Sequence, residues 1–442
     1  MKCRSYIRAM SLFLLLVTVA FSFSFLTFAE KVYPPEVENV DAVCVFNKEH
    51  GEIAVDRNMH MRVYPASTVK LMTALVAIEH FEDTETTITV TQAMLDDVIG
   101  RNLKLTEGEK IRVVDLLHAL LCGGYNDAAI VLAHAVSGSV PTFCEAMDQK
   151  ARALGAVNTH YTNPTGLHDD GMYTTAYDTA LIGFAVMENT ELFNATKRVK
   201  YTIPATNHEE ERTIYNRNAL ITTSVTADYY DPNAEGMNAG GTDEGGDCVV
   251  TAGNYNDLSW VCVVMGGRPE SPSDETNYAY IASKKSLRYA LVNYKFKTLR
   301  KADEIINTLP VRFSATEESV NIVMDRDLSA LLHSNVDAEH DIIYEIVMNT
   351  DLLSAPFEKD AVVGEIRMLC NGVLLDQANL ITQNAVDSHG FLVFMYRVKQ
   401  VTGHPIFILF LLAAIGGIGY FLWKRFPGGP NKQARRTRNR YF

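Results

Sequence analysis

Ser67 and Lys70 are the two side chains whose types and spacing best suit covalent chemistry; they lie in the run PASTVK, residues 65–70. On a helix, residues three apart share one face, so the amine of Lys70 reaches the hydroxyl of Ser67. A serine is a poor nucleophile until a base takes its proton, and a desolvated neutral lysine is such a base. If Ser67 heads the helix, free backbone N–H groups also face a developing oxyanion. The pair predicts acyl transfer, although Ser-x-x-Lys also arises by chance in a chain of 442 residues.

Other candidate side chains are more simply interpreted as structural. Cys122 resembles a thiol nucleophile only through His118 on the same predicted helix, which favours a packed helix residue. His160 and His168 have no HExxH or similar histidine–carboxylate spacing, so we predict no metal and no cofactor. The six cysteines after residue 29 are scattered, without a CxxC pair, and mostly lie in apolar runs. We interpret them as small buried hydrophobic residues rather than a disulfide framework.

The elements that must position Ser67 and Lys70 alternate between strand and helix patterns. Apolar alternation and turn signals predict an α+β sheet that is built from both ends of this region, with helices inserted between them. The first predicted strands lie at 42–46 and 52–55. Helices are predicted from Ser67, at 113–121 and at 127–135, with a tight corner at 123–126 between the last two. Further strands are predicted at 248–252 and 260–265, joined by a turn at 253–257, and a last helix at 277–293. From 311 to 396 the pattern becomes β-rich, with strands predicted at 319–324, 342–348, 361–369 and 392–398.

The two ends of the chain indicate its compartment. Residues 9–29 are uncharged, follow a basic start and end in a small-x-small pattern. Residues 1–29 are therefore predicted to be a cleaved signal peptide, with an uncleaved membrane anchor as the alternative. The apolar run within 405–423 is about long enough to cross a bilayer, and the basic tail 424–442 should stay in the cytoplasm. We therefore expect a single-pass protein of the cell membrane, with its main body extracytoplasmic.

The net charge of −13 is unevenly distributed, because all 53 acidic residues lie between the two terminal segments. A body this acidic does not bind nucleic acid by phosphate neutralisation.

Several stretches, in order, resemble the serine D-alanyl-D-alanine carboxypeptidases, the low-molecular-weight penicillin-binding proteins. The run around Ser67 resembles their first active-site motif. The further blocks are LLHALLCGGYNDAA at 116–129, ALGAVNTHYTNPTGL at 153–167, YTTAYD at 173–178, NRNAL at 216–220 and residues 236–252, and the β-rich region 311–390 is similar to the domain that follows catalysis. The resemblance implies a penicillin-binding/β-lactamase-like transpeptidase domain at 30–295 and a small all-β domain at 296–398, before one transmembrane helix.

Two motifs of that family are altered. The second, Ser-x-Asn, aligns with Gly124-Tyr125-Asn126, which lacks the hydroxyl. The third, Lys-Thr-Gly, aligns with Asn238-Ala239-Gly240, which lacks the cation that helps hold the carboxylate of the substrate. A lost charge-assisted hydrogen bond weakens such binding by about 1.5–3 kcal/mol.

The resemblance implies one role for each aligned residue. Ser67 would be the nucleophile, Lys70 its general base, and Asn126 a ligand of the substrate amide. Backbone N–H groups of Ser67 and Gly241 would form the oxyanion hole. The remaining substrate-binding positions would be Gly124, Tyr125, Asn238, Ala239 and Gly240, and Tyr125 is the candidate for a substitute hydroxyl, with plain packing or solvent exposure as the alternative.

Two functions remain open from the sequence. The first is a membrane-anchored carboxypeptidase that removes terminal D-alanine from peptidoglycan pentapeptides and is acylated by β-lactams. The second is a catalytically impaired relative that binds peptidoglycan or acts as a scaffold. Retention of Ser67, Lys70 and Asn126 favours the enzyme, whereas the two altered motifs favour the relative. A β-lactamase fits less well, because nothing resembles a dedicated deacylating carboxylate.

Overall fold

The computed structural model of the protein describes residues 31–96, 98–224 and 226–425. The predicted signal peptide and all of the predicted basic tail beyond Arg425 lie outside these residues. The chain divides into two compact units. The first ends at Lys297 and also contains Ala330–Asp337, and the second comprises Thr298–Ser329 and the chain from Ala338 onward.

The first unit is organised around a five-stranded antiparallel sheet. The described residues up to Gly267 form nine strands, five of them in this sheet. They are β1 Ala42–Asn47, β2 Glu52–Arg57, β3 Thr87–Thr89, β4 Lys110–Arg112, β5 Lys200–Ile203, β6 Arg212–Tyr215, β7 Asn238–Thr242, β8 Gly246–Tyr255 and β9 Leu258–Gly267. The sheet has the order β2-β1-β9-β8-β7, while β3 pairs with β4 and β5 with β6. Strands from both ends of the unit therefore share one sheet, as the sequence predicted. The turn between β8 and β9 is shorter than the predicted 253–257, because β8 continues to Tyr255.

Both faces of this sheet are covered. On β9, Trp260 and Cys262 pack in one core cluster, whereas Val261 and Val263 pack in another on the opposite face. Successive side chains of a strand point to opposite faces, so a strand that is apolar at every position needs a partner layer on each side.

Helices form the two partner layers. They are α1 Val69–His80, α2 Val113–His118, α3 Asn126–Ser137, α4 Val140–Ala153, α5 Ala176–Glu188, α6 Thr190–Lys197 and α7 Tyr278–Asn293. α7 packs on β8 and β9 on one face, and α5 packs on β1 and β9 from the inserted helical region. α1 lies inside that region with every residue from 69 to 77 buried, as expected for a helix that is apolar all round.

The second unit contains a six-stranded sheet. The strands after β9 are β10 Tyr294–Arg300, β11 Asn307–Arg312, β12 Ser319–Met324, β13 Leu328–His333, β14 Ile342–Met348, β15 Leu353–Ser354, β16 Val362–Cys370 and β17 Val373–Thr382. The six-stranded sheet has the order β14-β16-β17-β12-β11-β15, and β10 pairs with β13 in a separate two-stranded sheet. The expected all-β character of this region is confirmed up to residue 382.

The predicted strand at 392–398 is wrong, because these residues belong to the helix α8, Gly390–Gly403. The segment is rich in apolar and β-branched residues, which favours a strand locally. Without a neighbouring strand, a helix is the conformation that satisfies the backbone hydrogen bonds internally. The sequence pattern of this segment favours a strand, but no neighbouring strand among the described residues pairs with it, and the segment forms a helix.

The last described element is α9, Pro405–Arg425, an apolar helix with no buried residue. Within the described residues it is the single straight helix long and apolar enough to cross a membrane. The bent pair α3–α4 passes the same test of composition, but its apolar residues lie in the buried core of the first unit. The apolar run predicted at 405–423 therefore forms a helix that is suited to membrane anchoring.

Candidate active site

Ser67 lies in a single 3-10 turn, Ala66–Thr68, that leads directly into α1. Ala66 has a φ of 46°, a left-handed conformation that a residue with a Cβ adopts at some cost in strain. This bend places Ser67 at the amino end of the helix, where the first N–H groups have no acceptor within the helix. Among the described residues the Ser67 hydroxyl has no hydrogen-bond partner. Ser67 is half-buried and lines a cavity, a position from which its hydroxyl can meet a ligand.

Lys70 is buried one turn further along α1, with 1% of its surface exposed. Burial, together with the charge of Arg217, lowers the pKa of Lys70 to about 7. Its Nζ donates a hydrogen bond to the Thr165 carbonyl at 2.5 Å. A neutral amine held by one N–H in this way keeps its lone pair for a proton from a neighbouring hydroxyl. This environment suits the role of general base, which remains a prediction for Lys70.

The loop 163–167 (NPTGL) fixes Lys70 and the strained turn together. The Asn163 side-chain oxygen accepts hydrogen bonds from the Thr165 N–H at 3.2 Å, from its hydroxyl at 2.8 Å and from the Gly166 N–H at 2.8 Å. A Cβ on Gly166, whose φ is 80°, would lie 1.9 Å from the Ala66 carbonyl oxygen. Only glycine permits this contact between loop and turn.

Asn126 begins α3 on the opposite wall, after the corner that the sequence predicted. The corner consists of one π-helical turn, Ala119–Gly123, closed by Gly124 with a φ of 70°. The Asn126 side-chain amide donates to the Ile99 carbonyl at 2.8 Å, and its backbone N–H donates to the Arg101 carbonyl at 2.7 Å. The amide has a second N–H, so one donor remains for a ligand.

Tyr125 does not line the cavity next to Ser67. Its ring packs over Gly123, where a Cβ would lie 2.2 Å from a ring carbon, and the Arg101 guanidinium stacks 4.6 Å from the ring centre. The Tyr125 hydroxyl lies 3.4 Å from Arg101 Nη2. The structure therefore places the candidate substitute hydroxyl against an arginine, which corresponds to the packing alternative.

β7 forms the third wall. A Cβ on Gly240 would lie 2.7 Å from the Ser67 hydroxyl oxygen, so this strand passes directly over Ser67. A Cβ on Gly241 would lie 2.7 Å from an Asp247 carboxylate oxygen, so a side chain is excluded there as well. Asn238 is buried, with 4% of its surface exposed, and its side-chain oxygen has no hydrogen-bond partner among the described residues.

These walls enclose a cavity of about 200 Å³. Its lining is Ser67, Lys70, Gly100, Arg101, Gly124, Asn126, Thr165, Gly166, Leu167, Arg217, Ala239, Gly240, Gly241 and Thr242. Seven of the nine predicted site residues are therefore brought together, and Tyr125 and Asn238 are not among the lining residues. Sequence reasoning assigned no site role to Arg101, Thr165 or Arg217, although the blocks NPTGL and NRNAL that contain the last two were noted. Two larger cavities, of about 390 Å³ each, lie elsewhere. One of them is lined by Lys48 and Ser259, but Lys48 is exposed and pairs with Glu188, so residue chemistry rather than size identifies the site.

The structural interpretation of Cys122 is supported. Its thiol donates to the Arg198 carbonyl at 3.4 Å, and burial raises the pKa of Cys122 to about 12, which disfavours the thiolate. The cysteines of the described residues are all free, and each is buried except the half-buried Cys370. In the described part of the chain no three His, Cys, Asp or Glu side chains are grouped so as to hold a metal ion.

Gly240→Ala is expected to slow acylation of Ser67 by a penicillin about 10–100-fold, because the new methyl group displaces either the serine or the strand. Stopped-flow or quenched labelling measures this rate. Gly390→Ala is the matched control, since no atom lies within 4 Å of its added Cβ. An unchanged rate for Gly240→Ala would contradict the close approach of β7 to the nucleophile.

Two family models match the chain, one in each part. The family model for D-alanyl-D-alanine carboxypeptidase matches residues 29–269, and that for the C-terminal domain of penicillin-binding protein 5 matches residues 294–388. The chain is 25% identical over 394 residues to the D-alanyl-D-alanine carboxypeptidase DacF of Bacillus subtilis, covering 87% of this chain and 97% of that protein. It is 27% identical to DacA of Haemophilus influenzae, over 81% of this chain and 88% of that protein.

Solved structures show the same fold. Penicillin-binding protein 6B of Escherichia coli matches with a TM-score of 0.60 at 22% identity, over 80% of this chain and 98% of that chain. Penicillin-binding protein 5 of Haemophilus influenzae matches with a TM-score of 0.59 at 24% identity, over 81% of this chain and all of that chain.

Proposed function

Because the chain belongs to the D-alanyl-D-alanine carboxypeptidase family, we propose that it is a membrane-anchored serine carboxypeptidase. It removes the terminal D-alanine from peptidoglycan stem peptides through an acyl-enzyme on Ser67. The observation that carries this proposal is the buried Lys70, whose lowered pKa makes it a base, one helical turn from a serine that opens into a cavity.

Acylation begins when the Ser67 oxygen attacks the carbonyl carbon of the penultimate D-alanine and Lys70 takes the hydroxyl proton. The developing oxyanion accepts hydrogen bonds from the backbone N–H groups of Ser67 and Gly241. The carbon–nitrogen bond then breaks, and the Lys70 ammonium returns its proton to the amine of the departing D-alanine. An ester on Ser67 remains.

Deacylation repeats these steps with water as the nucleophile. Lys70 takes a proton from the water, which attacks the ester, and the Ser67 oxygen leaves and recovers its proton. The products are the shortened stem peptide and free enzyme. A β-lactam enters the same first step, but ring opening leaves no departing amine, so the protein is expected to be inhibited covalently.

The position of β7 supports an extended peptide substrate. β7 is the edge strand of the central sheet, so one row of its backbone N–H and C=O groups faces away from β8. A peptide that adds to this edge meets Ala239, Gly240 and Gly241 along its length, and Asn126 and Gly124 on the other side. The absence of side chains at 240 and 241 allows the two backbones to approach closely.

The remaining domain assignments belong to the same proposal. Residues 30–295 form the catalytic domain, 296–398 contain the β-rich domain, 405–423 cross the membrane and 424–442 form a cytoplasmic tail, after removal of the signal peptide 1–29. The apolar helix α9 supports the anchor. In this arrangement the active site faces the cell wall, where the stem peptides are.

Release of D-alanine from a synthetic pentapeptide that ends in D-Ala-D-Ala tests the proposal. The full-length protein in detergent micelles should liberate D-alanine, whereas the same peptide ending in L-Ala-L-Ala should remain intact. D-alanine is measured with a coupled oxidase assay. Binding of the pentapeptide without release of D-alanine would contradict the proposal and favour a non-catalytic peptidoglycan-binding or scaffolding role.

A further inference from the structure

We propose that a second cavity, next to the active-site cavity, binds a substrate side chain that ends in both an ammonium and a carboxylate. This upstream cavity is lined in part by Arg62, Tyr64 and Glu244. Glu244 binds the ammonium, and Arg62 binds the carboxylate. The inference rests on the proposed function and specifies the substrate further, as a stem peptide with a diamino dicarboxylic acid before its two D-alanine residues.

The upstream cavity adjoins the active-site cavity at the end of β7. It has a volume of about 390 Å³, and Tyr64, which lines it, lies three residues before Ser67. Gly245 also lines it, and the Gly245 N–H donates at 2.9 Å to the hydroxyl of Thr242, a residue of the active-site cavity. A Cβ on Gly245 would lie 3.3 Å from the Cβ of Tyr64, so the segments before Ser67 and after β7 touch. The two cavities are therefore neighbours.

The size of the active-site cavity leaves most of a pentapeptide outside it. Its volume is about 200 Å³, below the range of about 300–1,000 Å³ that is usual for ligand pockets. The two terminal D-alanine residues react there, so the three residues before them need another surface. A peptide that follows β7 past Thr242 reaches the upstream cavity.

Charge indicates which end of the peptide lies in which cavity. The charged residues that line the active-site cavity are Lys70, Arg101 and Arg217, and none of the described residues in its lining is acidic. The terminal carboxylate of a peptide is therefore attracted into this cavity, and the upstream residues point away from it. The upstream cavity carries charges of both signs. Its charged lining residues are Asp41, Asp170, Glu244, Arg62 and Arg268.

Two of these charges are left without a partner among the described residues. Arg268 is paired with Asp41, and it also donates to the Glu244 carbonyl at 2.8 Å, which fixes the backbone at Glu244. The Glu244 carboxylate has no hydrogen bond or ion pair within the described part of the chain. The Arg62 guanidinium stacks 4.2 Å from the centre of the Tyr173 ring and has no acidic partner in the residues that the structure describes. Glu244 therefore offers acceptors, and Arg62 offers donors, to a ligand.

The walls of the upstream cavity suit the methylene groups of a long side chain. Met61, Met172 and Tyr64 contribute to them. Val63, also in the lining, exchanges two backbone hydrogen bonds of 2.9 Å with Thr174, so this wall is held in place without a ligand. A cavity with apolar walls and a few charged groups can bind both the body and the end of such a side chain.

The test measures release of D-alanine by the full-length protein in detergent micelles from three pentapeptides that differ only in the third residue. This residue is meso-diaminopimelate, L-lysine or L-norleucine, so the side chain ends in both charges, in the ammonium alone or in no charge. We expect kcat/KM for the diaminopimelate peptide to exceed that for the norleucine peptide at least about fivefold, with the lysine peptide between them, because each exposed ion pair contributes only a few-fold.

Two variants assign the charges. Glu244→Gln is expected to lower the ratio of kcat/KM for the lysine peptide to that for the norleucine peptide about two- to fivefold, and Arg62→Gln to lower the ratio of diaminopimelate to lysine by a similar factor. A purely structural role of either residue would slow all peptides equally and leave the ratios unchanged. Glu210→Gln and Arg288→Gln are the matched controls, since both residues are exposed and neither lines the cavity, and they should keep both ratios.

A reversal of charge keeps the test decisive if the neutral variants are poorly active. Arg62→Glu places an anion where the cation was, and we expect it to make the lysine peptide a better substrate than the diaminopimelate peptide. Equal kcat/KM values for the three peptides in the wild type, or ratios that the variants leave unchanged, would overturn this inference, while the release of D-alanine would still support the proposed function. No release from any peptide would contradict the proposed function, and this inference with it.

Discussion

Ser67→Ala is expected to abolish covalent labelling by a fluorescent penicillin, reducing it at least about 1,000-fold. The other hydroxyls that line the cavity are those of Thr165, which donates to Asn163, and Thr242, which accepts from the Gly245 N–H. The label is quantified on a denaturing gel, and the modified peptide is identified by mass spectrometry. In the wild type the label should map to the peptide that contains Ser67.

Ser271→Ala is the control for this experiment, since Ser271 is exposed on a turn far from the serine–lysine pair in the sequence. It should label like the wild type. Full labelling of Ser67→Ala would place the nucleophile elsewhere and end the catalytic interpretation of the cavity.

Lys70→Met is expected to lower the acylation rate about 100–10,000-fold at neutral pH, the range typical of losing a general base. Methionine has a similar length and no charge, so packing within α1 is largely kept. Lys48→Met is the control, because Lys48 is exposed and pairs with Glu188 on the surface. Labelling rates of the two variants, measured beside the wild type, decide the role of Lys70.

The pH dependence gives the same test a second readout. Only the neutral amine accepts a proton, so the wild-type acylation rate should rise as the pH passes upward through about 7, the pKa of Lys70, and then level off. The other residues with charged side chains that line the cavity are Arg101 and Arg217. The residual rate of Lys70→Met should lack this rise; a rise that persists would assign it to another group.

The stability of Lys70→Met separates loss of chemistry from loss of folding. The folded-state pKa of Lys70 lies below the ordinary value of 10.5, so the unfolded chain binds more protons between about pH 7 and 10.5. Wild-type stability should therefore gain from this group as the pH rises through that window, and Lys70→Met should not show this gain. At pH 7 we expect the variant to unfold at a temperature no lower than the wild type, although the Thr165 carbonyl loses its donor.

The local sequence pattern predicted an element correctly where the element depends on the spacing of neighbouring residues. The helix from Ser67, the corner before Asn126 and the apolar strands of the central sheet all lie where the sequence predicted them. Each depends on spacing within a few residues, which helical or strand geometry converts directly into position. The family resemblance supplied the rest of the expected site, because its blocks occur in order along the chain.

The local sequence pattern gave a wrong or incomplete prediction where a conformation depends on contacts with residues distant in the sequence. Residues 392–398 resemble a strand but form part of α8, since a strand needs a neighbour and a helix does not. Tyr125 was a candidate for a substitute hydroxyl, yet its ring packs over Gly123 against Arg101. The residues adjacent in the sequence determine neither which strand pairs with a segment nor where a side chain points after a turn.

The sequence by itself determined the serine–lysine spacing, the order of the elements, the apolar carboxy-terminal helix and the two altered motifs. Only the tertiary structure decided that the Thr165 carbonyl holds the Lys70 amine, that β7 passes over Ser67, and that Arg217 enters the cavity above Gly124. These contacts join residues about 90 to 170 positions apart. Packing of the helices and the sheet around shared cores brings them together, and no periodicity along the chain encodes which distant side chains then meet.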